Sequence, residues 1–229
     1  MRMTWYNLLF AHWPCSPASL RVHVPSGLDI DTFEGQAYVG VIPFGMKAVS
    51  PRLVPPLPWF SQFLELNVRT YVRVNDQAGV YFFSLDAANP LAVAWARTFF
   101  MLPYFNALMS MSEAGGWIKY ESGRQHKGAS PAQFQAMYRP VGGQFRSLSG
   151  SIEEWLTERY CLFTIDRHRH IYRCDIHHLP WPLRSAEADI HENSMVAAAG
   201  LSQAVDASAK PLLHFADSLA TIAWPLKRL

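Results

Sequence analysis

Three cysteines are too few for a disulfide framework. Cys15, Cys161 and Cys174 are irregularly spaced and form no CxxC pair, which argues against structural zinc or dithiol redox chemistry and fits a reducing cytoplasm. Long apolar runs are also missing. No uncharged stretch approaches the ~18 residues a membrane-spanning helix needs. The apolar start MRMTWYNLLFAHWP is interrupted by Asn7 and His12, so it falls short of a signal peptide, and no membrane partner is expected. Charge of one sign is scarce too: the net value is +2 and the basic residues are scattered, leaving no electrostatic footprint for nucleic acid. The chain has no GxGxxG, P-loop, HExxH or GxSxG motif, so no cofactor is predicted and no standard catalytic apparatus is indicated. Lysine is limited to Lys47, Lys119, Lys127, Lys210 and Lys227, of which only Lys227 has a basic neighbour; this weakens any mechanism that needs an amine of lowered pKa.

What the chain does have is apolar and aromatic mass. Of its 229 residues 50% are hydrophobic and 14% aromatic, enough for one large core, and without repeats or low-complexity linkers a single domain over 1–229 is expected. Short apolar or alternating runs, roughly 5–13, 36–44, 64–74, 79–85, 116–121, 161–166, 169–177, 184–190 and 211–216, are rich in Val, Tyr, Phe, Trp and Ile. Gly, Pro, Asn and Asp separate them, the pattern of a mostly β protein with many antiparallel strands. The stretch from Asn75 to Gly79 reads as a hairpin loop. Helices are expected after Asn89-Pro90, ending near Leu102 before Pro103; after Ser151, which forms a capping box with Glu154; and from Pro131 through PAQFQAMY. Pro51 to Trp59 reads as an extended proline-rich loop, a plain surface crossing or a cover for a cavity mouth.

Two constellations bear on chemistry. In DRHRHIYRCDIHH, Asp166 to His178, two histidines share a strand face, but same-face neighbours lie ~6–7 Å apart and need further ligands from elsewhere. A solvated hairpin with Arg and His at its turn is the preferred reading, and no metal is assigned. LELNVRTYVRV, Leu64 to Val74, alternates more strictly: Leu64, Leu66, Val68, Val72 and Val74 against Glu65, Asn67, Arg69, Tyr71 and Arg73. If the polar face is wet, this is an ordinary half-buried strand. If it is enclosed, Arg69 and Tyr71 can bind a ligand and Glu65 can exchange a proton.

The segments FAHWP, LDIDTFEGQAYVGVIPF, ELNVRTYV, GVYFFSLDA, ARTFFMLPYFNALM, LTERYCLF and HHLPWPL, in this order, resemble the uncharacterised YqjF-like family of the acetoacetate decarboxylase-like superfamily. The resemblance spans nearly the whole chain. It implies a largely antiparallel sheet forming a closed or partly open, cone-like barrel with a few surrounding helices and an internal pocket. VPSGLDID, Val24 to Asp31, is similar to a segment of the decarboxylases themselves, and Glu65 falls at their active-site glutamate. Arg97 matches the arginine that precedes their catalytic region, followed six residues later by Pro103. Where they carry two lysines this chain has Tyr104 and Phe105, and Tyr6 stands near the place of their N-terminal arginine.

Imine chemistry needs an amine that a phenol cannot provide, so the chain is not expected to be an acetoacetate decarboxylase. The expectation is a pocket for a small-molecule ligand in which Glu65 and Tyr104 are catalytic and Arg69, Tyr71 and Arg97 bind substrate. The activity would be on a carboxylate or carbonyl compound without a Schiff-base lysine. A non-catalytic metabolite-binding or sensing protein, and a structural module with a filled interior, are the alternatives. Homo-oligomerisation is left open by the sequence.

Overall fold

The computed structural model describes residues 1–51 and 61–229. The proline-rich stretch expected as a loop therefore lies, after Pro51, outside the described residues. The strands are β1 (Arg2–Cys15), β2 (Asp29–Ile30), β3 (Ala37–Ser50), β4 (Phe63–Val74), β5 (Gln77–Ala87), β6 (Tyr104–Ala114), β7 (Trp117–Arg124), β8 (Gln133–Phe145), β9 (Cys161–Ile165), β10 (Ile171–His178), β11 (Leu183–Asn193), β12 (Leu212–Ala223) and β13 (Lys227–Arg228). The helices are α1 (Pro17–Arg21), α2 (Pro90–Phe99), α3 (Ile152–Thr157) and α4 (Met195–Ala198). The mostly β, largely antiparallel expectation holds, and none of the described helices is long and apolar enough to cross a membrane.

The strands form one sheet that forks twice. One edge of β5 pairs throughout with β4, while its other edge pairs with β9 at Val80 and Tyr81 and with β6 from Leu85 to Ala87. β12 does the same: β1 occupies one edge, and the other is shared between β11 at Leu183–Ser185 and β10 at Ile176–His178. Between the forks, β5, β4, β3, β1 and β12 make a common wall. β9 and β10 connect the forks on one side, and β6, β7, β8 and β11 on the other, so the sheet closes into two ring-like circuits rather than a simple barrel.

A wall shared by two circuits is buried on both faces. Leu66, Val68 and Val72 of β4 cluster with Tyr120, Phe134 and Tyr138 of β7 and β8. Tyr71 of the same strand clusters with Phe10, Phe44, Leu162 and Cys174, the last two from β9 and β10. The alternation of β4 therefore separates two interiors, and its polar parity does not face bulk water, except at Arg73 near the end. Tyr120 ties the two together: its hydroxyl donates to the Glu65 carbonyl at 2.7 Å and lies 3.3 Å from that of Phe44.

Local signals explain several boundaries. Asn89 Oδ1 accepts from the amides of Leu91 and Ala92, and Pro90 occupies the first helical turn of α2. Ser151 caps α3 through the Glu154 amide, but the Glu154 carboxylate accepts from Gly150 N–H rather than closing a box on Ser151. The hairpin between β4 and β5 is tighter than expected, turning at Asn75 and Asp76, both at positive φ, with Val74 paired to Gln77.

One expected helix is a strand, and β6 was missed along with the short α1, β2, α4 and β13. The stretch after Pro131 is strand β8, because Phe134, Ala136 and Tyr138 are buried and Gln133, Gln135 and Met137 are exposed; period two wins over helix propensity. β6 follows Pro103 directly, unmarked by β-branched residues.

Gly79 sits where β4, β5 and β9 crowd together: a Cβ there would lie 2.7 Å from the Phe163 ring and 2.8 Å from the Cys161 carbonyl oxygen. Backbone cannot swing aside as a flexible side chain can. Gly79→Ala is expected to cost about 1–3 kcal/mol in urea unfolding, and a loss below ~0.5 kcal/mol would show that the fork is not tightly closed.

Candidate functional site

The smaller circuit holds a partly open cavity of about 130 Å³. Its walls come from β1, β3, β4, β5 and β10, while Ala92, Trp95, Ala96 and Phe100 of α2 and its exit cover one side. Most of the lining is apolar, including Met3, Trp5, Phe82 and Trp181. Trp181 stacks on Trp5 at 5.8 Å and meets Phe10 edge-on at 5.0 Å, so the loop from Leu179 to Pro182 serves as a packing anchor.

Into this apolar surround the wall places one carboxyl. Glu65 is 4% exposed, and Tyr104, at the first position of β6, donates a hydrogen bond to Glu65 Oε2 at 2.8 Å. Burial raises the Glu65 pKa; the Tyr104 hydrogen bond opposes this by favouring the anion, and the negative charge of Asp86 adds to the rise, leaving the group at about 8. Near neutral pH the carboxyl is therefore mostly protonated and can act as a proton donor. Burial first, and the neighbouring Glu65 second, hold the Tyr104 phenol well above its ordinary value, so it remains a hydrogen-bond donor.

Arg69, Arg159, Thr157 and His178 also line the cavity. Arg69 is partly buried, has no carboxylate partner among the described residues, and lies over the Phe10 and Tyr71 rings with its guanidinium carbon 5.7 Å from each centroid. Arg159 leaves α3 and binds Asp31 Oδ2 at 2.6 Å, while Arg73 holds the other oxygen at 2.8 Å. His178 Nδ1 lies 2.8 Å from the Leu179 carbonyl, and burial lowers its pKa, favouring neutral imidazole.

Of the residues singled out from sequence, Glu65, Arg69 and Tyr104 converge on this cavity. Tyr71 and Arg97 are not among the residues that line it. The Tyr71 hydroxyl is committed elsewhere: it donates to the Leu156 carbonyl at 2.8 Å and lies 2.6 Å from His12 Nε2. With its one proton so used, Tyr71 must accept from His12, which makes His12 a hydrogen-bonded wall residue. Arg97 is exposed and donates from Nη1 to the Tyr104 carbonyl at 2.6 Å, fixing the backbone that presents the phenol. Asn67 is buried without lining the cavity. All five lysines are exposed, and none of them lines the cavity. In the Asp166–His178 segment, Asp166 caps the β9–β10 turn through the amides of His168 and His170, and no group of three or more His, Cys, Asp or Glu among the described residues is placed to hold a metal.

Residues 2–220 match the family model DUF2071, described as an uncharacterised conserved protein. The chain is 45% identical over 228 residues to the uncharacterised protein YqjF of Bacillus subtilis (strain 168), covering 100% of this chain and 92% of that one. The chain belongs to the YqjF-like DUF2071 family. Its fold is that of acetoacetate decarboxylase-like proteins. An acetoacetate decarboxylase-like enzyme from Sphingomonas wittichii RW1 superposes with a TM-score of 0.64 at 11% identity, over 100% of this chain and 92% of that one. The enduracididine biosynthesis enzyme MppR complexed with pyruvate gives 0.66 at 10% identity, over 99% and 89%. The acetoacetate decarboxylase of Legionella pneumophila gives 0.63 at 12% identity, over 100% and 87%.

In this DUF2071 protein Arg159 stands just after α3, where an ion pair fixing the helix end is the plain reading of the sequence. The ion pair exists, but nothing local in LTERYCLF signals that the guanidinium also reaches the cavity. The buried Glu65 gives a measurable signature. A carboxyl whose folded-state pKa lies above its ordinary 4.5 makes stability fall as pH rises from there through about 8, because the native chain holds the proton more tightly. Glu65→Gln is expected to flatten this decline, worth a few kcal/mol in the wild type, when urea midpoints are compared between acid and mildly alkaline buffers. Parallel pH profiles for the two proteins would show that Glu65 is not buried in this way.

Proposed function

We propose that this chain binds a small carboxylate or carbonyl compound in the cavity of the smaller circuit and acts on it by general acid–base catalysis. The observation that carries the reading is the buried Glu65 carboxyl, hydrogen-bonded to Tyr104 and facing an apolar cavity that also contains an uncompensated arginine. Arg69 attracts an anionic group. Tyr104 redirects its single proton from Glu65 to a carbonyl or enolate oxygen of the ligand, and Glu65, so released, delivers or removes a proton next to it. Because Glu65 is neutral near pH 7, it does not cancel the charge of Arg69, and a bound anion holds the proton on Glu65 more firmly. Arg97 is a positioning residue that acts through the Tyr104 backbone.

The fold supports a ligand site here, since a neighbour of the same fold is described with pyruvate bound. The chemistry we infer departs from lysine imine formation, because every lysine is exposed and away from the cavity. The same apolar lining suits a second reading, a protein that binds or senses a metabolite without converting it.

A panel of keto acids and aryl carboxylates, scored for thermal shift and turnover, separates the two. The enzyme reading expects turnover that falls as pH rises through about 8, where Glu65 loses its proton. It also expects Glu65→Gln to lower turnover by roughly 10²-fold or more while binding persists. Binding without turnover by the wild type would favour the sensor. Borohydride treatment in the presence of acetoacetate is expected to leave every lysine unmodified, and a stable adduct on any of them would sink the non-imine mechanism.

A further inference from the structure

Two guanidinium groups in the cavity have hydrogen-bonding capacity that the protein leaves unused. Arg69 Nε and Arg159 Nη2 are buried nitrogens with no hydrogen-bond partner among the described residues, and both residues line the cavity. Their guanidinium carbons lie 5.7 Å and 5.0 Å from the centroid of the same Tyr71 ring, so both are gathered around one aromatic group. A buried charged donor without an acceptor carries a larger penalty than a neutral one, and a ligand that supplies the acceptor removes that penalty on binding.

Charge points the same way. Asp31 provides one carboxylate for two arginines, Arg73 and Arg159, and Arg69 has none among the described residues, so this region of the cavity is positive. The protonated Glu65 does not compensate it. The volume suits a ring-sized body: the cavity of about 130 Å³ is close to the ~150 Å³ apolar cavity known to accept benzene. Met3, Trp5, Phe82 and Trp95 offer it an apolar, largely aromatic surround.

We propose that Arg69 and Arg159 together form an anion clamp, and that the ligand is a monocarboxylate bearing a single ring-sized apolar body, an aryl-substituted short acid. This rests on the reading of the cavity as a ligand site and names its substrate class. Arg159 thereby has two tasks: its Nη1 holds Asp31 against β4 and its Nη2 serves the ligand.

The test is calorimetric titration with phenylacetate, its neutral isostere phenylacetamide, and acetate. Wild type is expected to prefer phenylacetate over phenylacetamide by about tenfold or more, and over acetate by at least as much. Arg69→Met and Arg159→Met should each reduce the acid-over-amide preference about tenfold while leaving phenylacetamide binding within about twofold. Arg159→Lys keeps a cation beside Asp31 and guards against misfolding; it should lose the same preference, since an ammonium cannot serve both partners in a planar fork. Equal wild-type affinity for acid and amide, or arginine variants that weaken both probes alike, would overturn the clamp while leaving the cavity a ligand site. Acetate binding as tightly as phenylacetate would overturn the ring-sized body. Failure of all three probes to bind would remove the clamp together with the cavity reading beneath it.

Discussion

Up to Arg73 near its end, strand β4 has no wet face, and most of the site follows from that constraint. In an antiparallel sheet exposed on one side, the polar parity of a strand is solvated and needs no further account. Here the forks at β5 and β12 turn the sheet back on both sides of the central wall, so the polar parity is covered as well, apart from Arg73 near its end. Each enclosed polar group then has to find a partner, change its protonation state, or wait for a ligand. All three outcomes occur within seven residues of one strand. Tyr71 is satisfied by Leu156 and His12, Glu65 takes up a proton, and Arg69 keeps a buried nitrogen unpaired.

Glu65 is also held from both sides of the wall. Its carbonyl accepts from Tyr120 in the larger interior, and its carboxyl accepts from Tyr104 in the smaller one. A further ion pair braces the same region, with Arg124 of β7 reaching past β6 to Asp86 of β5 through contacts of 2.6 to 3.1 Å, and its guanidinium 4.1 Å above the Phe105 ring. Phe105 thus packs against the ion pair that anchors β6, while Tyr104 beside it turns to the cavity. In the resemblance to acetoacetate decarboxylases these two positions correspond to the lysine pair. In this chain one has become a hydrogen-bond donor and the other an element of packing.

The strands of the wall were legible from period-two alternation, and α2 from its Asn-Pro start, because these are local effects of backbone geometry and capping. β8 was misread since a proline can open either element, and only the burial of Phe134, Ala136 and Tyr138 shows which period applies. β6 was missed for a related reason: it carries Met, Ser, Asn and Ala where β-branched residues would have marked a strand.

The sequence by itself determined the strand-rich character, the lack of a nearby lysine pair, and a list of polar residues that could share one side of β4. Only the tertiary structure decided that Glu65 and Arg69 face a common cavity, that Tyr71 and Arg97 do not, and that Arg159, 90 residues further on than Arg69, faces the same space. Alternation is a property of one strand and specifies that two faces differ. What each face meets depends on strands β9 and β10, which are remote in sequence and are brought there by pairing with β5 and β12.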